Sequence, residues 1–399
     1  MRLLAKDRYV IFASGIIVFS VFLGVLAGTM AATMAPRTTD FGSVVSEYLF
    51  PSRETVIRKQ AARIVSQMDS REKLGQLVMI GIHGTDVTND AAYMLKNYHV
   101  GNIVLFDRNL QSYQQTAKLT ADLQKLALED AKQPVPLFIG IDEEGGPVVR
   151  GRGIIPPPPS QMELAQRNNM MVIGQWADKT GNTLKALGIN VNFAPVADVC
   201  WNNPRCYSGD PEIVSKCITA AANGYVNANE VFVLKHFPGI GRGKVDSHKD
   251  VSNIDVSKEL LLQTDLKPFL DIIDNFRTQD FFIMVSHLKY PQLDPDNTAS
   301  QSYNIITRLL RNELGYDGLI ITDDMEMGAV AKYESYRQMG VNAIKAGADI
   351  VMICHDYNHQ AEVYKGLVEA YDAGELDKKQ IDDAVRRVVQ AKLRCNTPL

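Results

Sequence analysis

Six short apolar runs of this chain end in ionisable side chains. The third run of the chain ends in Asp142, followed by Glu143, Glu144, Gly145 and Gly146, and the fourth ends at Asp198. The fifth ends in Lys235-His236, the sixth in Ser286-His287, the seventh in Asp323-Asp324 and the eighth near His355. One such residue is commonplace, since a buried Asp often caps a loop or holds a nearby Lys. A whole set at one rim describes a polar pocket. Its chemistry fits glycoside cleavage, in which one group attacks or stabilises the anomeric carbon and another moves the proton. Lys235, beside an imidazole and facing carboxylates, reads as an ion-paired donor to substrate hydroxyls. Two other chemistries use the same side chains: a Schiff base at Lys235, and a metal held by His and carboxylates. The metal reading is the weaker, because there is no HxH or CxxC pair and His236 and His287 lie on different runs. A further pair, Asp246 and His248, lies in the Gly-rich segment GIGRGKVDSHKD. A carboxylate near an imidazole fixes its tautomer and raises its basicity, although DSH taken alone reads first as a turn or a helix cap.

These residues need a scaffold that brings strand ends together. The apolar runs are LVMIGI (77–82), GNIVLF (101–106), PLFIGID (136–142), INVNFAPVADV (189–199), VFVLKHF (231–237), FFIMVSHL (281–288), GLIITDD (318–324) and DIVMIC (349–354). Amphipathic stretches such as QQTAKLTADLQKLALEDA and MVIGQWADKTGNTLKALG separate them. Near-continuous apolar strands alternating with helices predict a parallel sheet buried on both faces. Eight such units predict an α/β fold of the (β/α)8 TIM-barrel type, whose sites lie at the C-terminal ends of the strands. A doubly wound open sheet is the alternative, but the first run ends GIHGTD, without a Gly-rich phosphate turn.

Composition excludes other classes. The 399 residues are 46% hydrophobic, ample for a core, and 42 Lys and Arg against 46 Asp and Glu give a net charge of −4. Nucleic acid is therefore not an expected partner. Between Arg8 and Arg37 there is no charged residue. That length suffices to span a bilayer, and Arg2, Lys6 and Arg8 before it favour a cytoplasmic N-terminus. The expectation is a single-pass anchor over residues 1–36, a linker over 37–55 and one catalytic domain over 56–399, facing away from the cytoplasm. A cleaved signal peptide, and hence a secreted protein, is the alternative. In an oxidising compartment Cys200 and Cys206 could pair; buried free thiols are the other reading.

The motifs IDEEGGPVVR (141–150), NFAPVADV (192–199), KHFPG (235–239), DSH (246–248) and ITDDMEMGA (321–329) resemble those of glycoside hydrolase family 3. They look most like its single-barrel bacterial β-N-acetylglucosaminidases, in the same order, from about Glu72 to Leu393. The resemblance implies Asp323 as catalytic nucleophile and His248 as an unusual acid/base held by Asp246. It implies substrate contacts from Asp142, Arg150, Lys235 and His236, and from Arg205 in RCYSGDP, where these enzymes have Arg-Ser-Phe-Gly. The implied substrate is a carbohydrate; no cofactor and no metal are expected, and the sequence leaves the oligomeric state open, with a monomer the expectation. Two departures stand out: Ile240 where the family often has His, and Pro147 where it commonly has Arg. The function implied is a retaining exo-β-N-acetylhexosaminidase acting on peptidoglycan- or chitin-type glycans. The alternatives are a β-glucosidase or other β-glycosidase, a phosphorylase, and a catalytically silent, membrane-tethered glycan-binding protein. DSH speaks against a glucosidase, because the family's glucosidases generally take their acid/base from another domain.

Overall fold

The structure, a computed structural model, describes residues 52–129, 132–243 and 252–396. The expected anchor, most of the linker, and Asp246 and His248 lie outside the described residues. Among the described residues, no helix is long and apolar enough to cross a membrane. The chain divides into two compact units, residues 1–60 and 61–399. In the first, residues 52–60 contain the opening turns of the helix Arg53–Gln67.

The second unit is a closed parallel barrel of eight strands. They are β1 (Val78–Gly81), β2 (Asn102–Leu105), β3 (Phe138–Ile141), β4 (Val191–Asn192), β5 (Val231–Phe237), β6 (Phe281–Val285), β7 (Leu319–Asp324) and β8 (Ile350–Ile353). Each pairs with its sequence neighbours, and β8 closes onto β1 with Val78 opposite Val351. The expected strands are therefore all present, because a strand covered on both faces must be largely apolar. The fourth is the exception in length. It was expected over 189–199, but regular pairing stops after Asn192. Pro195 has no N–H to give a ladder, and only isolated bonds such as Ala197 N to Lys235 O (2.7 Å) continue the course of the strand.

Helices follow the strands and start where side chains can accept the free N–H groups of a first turn. Thr88 caps α1 (Asn89–Asn97), Ser112 caps α2 (Tyr113–Leu128) and Asn169 caps α3 (Met170–Ala186). Asp210, followed by Pro211, caps α4 (Pro211–Ala228). The base of the barrel is closed by the C-terminal helix Lys378–Asn396, whose buried Lys392 Nζ donates to Gln76 Oε1 and Gly101 O, both at 2.7 Å. Function is thereby left to the opposite rim.

Two irregularities at that rim matter. The ladder shifts register between Leu234 and Phe237 in β5, and between Ile321 and Asp324 in β7. In a regular strand adjacent side chains face opposite ways. At these shifts Lys235 with His236, and Asp323 with Asp324, all line one cavity. Such irregularities re-aim side chains beside functional sites.

Candidate active site

The C-terminal ends of the strands surround a cavity of about 360 Å³. Its walls include Asp142, Arg150, Arg205, Lys235, His236 and Asp323. Every expected site residue within the described part of the chain is therefore in one place. Asp246 and His248 belong to the segment 244–251, outside it.

The polar wall is built from the segment after β3. Asp142 and Glu144 lie two apart, so they share a side, and both reach Lys235 Nζ at 2.7 Å. Arg205 grips Glu144 through two hydrogen bonds of 2.8 Å, and Arg150 Nη2 lies 3.3 Å from Asp142 Oδ2. Cations and carboxylates alternate along this chain: Arg150, Asp142, Lys235, Glu144, Arg205. Burial would push the Glu144 carboxyl up, but Lys235 and Arg205 outweigh it and hold it at about 2. Asp142 is lowered in the same way, by Lys235 against burial. Lys235 is 2% exposed. Burial favours its neutral amine, yet Asp142 and Glu144 outweigh that and raise its pKa. It therefore stays an ammonium, which argues against a Schiff base, since that needs the free amine.

Glu143, between these two carboxylates, turns the other way. Its Oε2 accepts the backbone N–H groups of Arg150 (3.0 Å) and Gly151 (2.9 Å). That closes the ribbon Glu143–Gly145 against Val148–Val149 and returns Arg150 to Asp142. The turn needs glycine: Gly145 and Gly146 have φ of 104° and 57°, and a Cβ on Gly145 would stand 2.4 Å from Pro159 O. Burial pushes the Glu143 carboxyl up to about 7. Pro147 is exposed at the tip of this ribbon and is not part of the cavity wall, whereas Ile240 is.

Two histidines face Asp323, His236 from β5 and His287 from just beyond β6. His236 Nδ1 donates to Asp198 Oδ2 (2.7 Å), while Asp198 Oδ1 accepts from His236 N and Ile240 N. His287 Nε2 lies 2.9 Å from the carbonyl of Asp324, which can only accept, so the proton is on Nε2 and Nδ1 accepts from Ser300 Oγ. Burial lowers the His287 pKa and keeps it neutral at pH 7. Burial would raise Asp323, but the fields of His236 and His287, the Asp324 N–H at 2.8 Å and Lys235 bring it below 3.8. At neutral pH His287 is uncharged, so its share of that field fades, while the Asp324 N–H and Lys235 persist. Asp323 is thus an ionised carboxylate at a strand end, open to the cavity. Its Oδ2 has no hydrogen-bond partner among the described residues.

Four residues in or under the site were not assigned by sequence reasoning. Glu144 is the hub of the ion chain, and its spacing of two from Asp142 was the available signal. Asp198, noted only as a strand end, fixes the tautomer of His236. Arg108 lies in the turn after β2; it donates to Cys354 O at 2.7 Å and stacks 4.3 Å over Phe106. Asp324 accepts from Cys354 N (3.2 Å) and lies 3.3 Å from His355, whose pKa it raises. Among the described residues, no group of three His, Cys, Asp or Glu side chains could hold a metal ion.

Arg205 reaches the site from a closed loop. Cys200 and Cys206 form a disulfide, with Cα atoms 5.9 Å apart. Of the two readings of these cysteines, the paired one is observed.

The chain is 31% identical over 341 residues to β-hexosaminidase A of Pseudoalteromonas piscicida, covering 79% of this chain and 56% of that protein. It is 32% identical over 331 residues to a β-hexosaminidase of Nitrosomonas eutropha, covering 79% of this chain and 92% of that one. A solved glycoside hydrolase family 3 β-N-acetylglucosaminidase from a Paenibacillus species superposes with a TM-score of 0.79 at 36% identity, over 82% of this chain and 63% of that one. The chain thus spans little more than half of the first of these relatives. The model of the glycosyl hydrolase family 3 N-terminal domain matches residues 70–391, from the helix before β1 to the helix that closes the barrel, and the chain belongs to that family.

Proposed function

We propose that this chain is a retaining, exo-acting β-N-acetylhexosaminidase. The observation that carries the reading is Asp323: ionised, rigidly aimed and, among the described residues, unpaired at one oxygen, beside an ion-paired wall suited to sugar hydroxyls. The names of its relatives, β-hexosaminidase and β-N-acetylglucosaminidase, support it. In this reading Asp323 attacks the anomeric carbon as the bond to the leaving oxygen breaks, and that oxygen takes a proton from His248, oriented by Asp246. Water then attacks the same carbon and gives its proton to His248, freeing Asp323. Asp142, Arg150, Arg205, Lys235 and His236 bind the terminal amino sugar. The apolar run before Arg37 tethers the enzyme to a membrane with its barrel outside the cytoplasm, a compartment that the Cys200–Cys206 disulfide suits.

The test is turnover of aryl β-N-acetylglucosaminide against aryl β-glucoside by the full-length chain, with and without phosphate. Preference for the amino sugar, independent of phosphate, is expected. Preference for glucoside, stimulation by phosphate, or binding without turnover would each replace this reading with the corresponding alternative.

A further inference from the structure

We propose that Trp201 is a carbohydrate platform on the leaving-group side of the cavity, stacking a sugar ring beyond the one that is cleaved. This rests on the glycosidase reading above. At 71%, Trp201 is the most exposed large hydrophobic side chain among the described residues. An indole held out in this way leaves on the order of 100 Å² of apolar surface in water.

It is nevertheless not loose. A Cβ on Gly209 would stand 2.1 Å from Trp201 Cε2 and 2.3 Å from Nε1, so one face of the ring lies on the Gly209 backbone. Only glycine allows that approach. The loop itself is closed by the Cys200–Cys206 disulfide and tied by Cys200 N to Ser208 O at 3.0 Å. A rigid ring with one face backed and the other open is pre-organised for stacking.

Position selects the occupant. The same loop sends Arg205 inward to Glu144, so one short disulfide-closed segment offers a cation to the cavity and, a few residues away, an exposed aromatic face. The three residues between Trp201 and Arg205 make four Cα–Cα steps, which limit the separation to about 14 Å, a distance that a short oligosaccharide covers. The C–H face of a pyranose is apolar and slightly positive, and it matches the negative face of an indole. One aromatic ring falls far below the roughly 1,000 Å² that a specific protein partner buries, so the observations favour a sugar over a protein.

The experiment compares full-length Asp323→Asn with Asp323→Asn/Trp201→Ala by calorimetric titration with N-acetylglucosamine and its β-1,4 oligomers of two to four units. In parallel, Trp201→Ala and wild type are assayed on the oligomers and on aryl β-N-acetylglucosaminide. Loss of Trp201 should weaken oligomer binding about tenfold and leave the monosaccharide unchanged. Trp201→Tyr should recover most of the loss. Equal affinity at every length, or an equal loss at every length including the monosaccharide, would overturn the platform. Wild type inactive on the aryl substrate but with a Trp201-dependent gain with length would overturn the hydrolase reading and leave the platform standing. No binding at any length, with or without Trp201, would overturn both.

Discussion

Glu143 offers a test of how the site is held rather than of what it does. Its carboxyl is 0% exposed, accepts two backbone N–H groups through Oε2, and has no partner at Oε1 among the described residues. Burial raises its pKa from 4.5 to about 7. An acid whose folded pKa is raised contributes stability that is fully present below its unfolded value. That contribution is lost as pH rises through the folded value. The whole interval is worth roughly 3 kcal/mol. Gln at this position keeps an acceptor for Arg150 N and Gly151 N and carries no titrating proton. For a barrel of about 340 residues, 3 kcal/mol corresponds to a melting shift of roughly 4 °C. Glu143→Gln should therefore melt close to wild type at pH 5 and roughly 4 °C above it at pH 8. Comparing the two proteins cancels the histidines, whose contributions differ in sign: His287 is lowered and His355 raised. Differential scanning at the two pH values measures the effect. A difference between wild type and Glu143→Gln that does not change with pH would refute the assignment. Glu143→Ala, which strands both N–H groups, should lose about 2–4 kcal/mol and raise KM by releasing Arg150.

Lys235→Met leaves Asp142 and Glu144 buried without their shared cation; the fold should lose roughly 3–5 kcal/mol of stability, read by denaturant unfolding, and kcat/KM for the amino sugar should fall. Because Glu144 is held at about 2, its contribution is present above 4.5 and lost only as pH falls towards 2; in Lys235→Met the acid-unfolding midpoint should move up. Replacing Cys200 and Cys206 together with Ser frees the Arg205 loop, and KM should rise several-fold with little change in kcat. His248→Ala should cripple unactivated disaccharides and spare the first step for aryl glycosides with acidic phenols, giving a burst of phenol; equal loss on both would remove it from the acid/base role.

Much of this architecture was legible in the sequence because burial on both faces leaves a strand largely apolar, so all eight runs stand out. β4 was overread for the same reason: NFAPVADV is apolar enough to pass as strand, but Pro195 ends the ladder. The site was legible where one ionisable residue closes an apolar run, as at Asp142, Lys235, His236 and Asp323. Glu143 and Glu144 were not separable in the run Asp142-Glu143-Glu144, because only the fold shows that one carboxylate faces the cavity and its neighbour clamps a ribbon. Arg150 and Arg205 sit on loops, where no periodicity points to a face, and the family motifs carried them. Trp201 had a visible type, but its exposure depends on Gly209, eight residues away in the chain.

The most direct test of the central claim is to trap the covalent intermediate. The full-length chain is incubated with an activated fluorinated N-acetylglucosaminyl analogue, which forms the glycosyl-enzyme but is slow to release it, and the digest is sequenced by mass spectrometry. The account predicts one sugar mass on the peptide carrying Ile321–Met325, localised to Asp323 and absent in Asp323→Ala. A label on Asp324 or on any other side chain, or inactivation of Asp323→Ala at the wild-type rate, would contradict it.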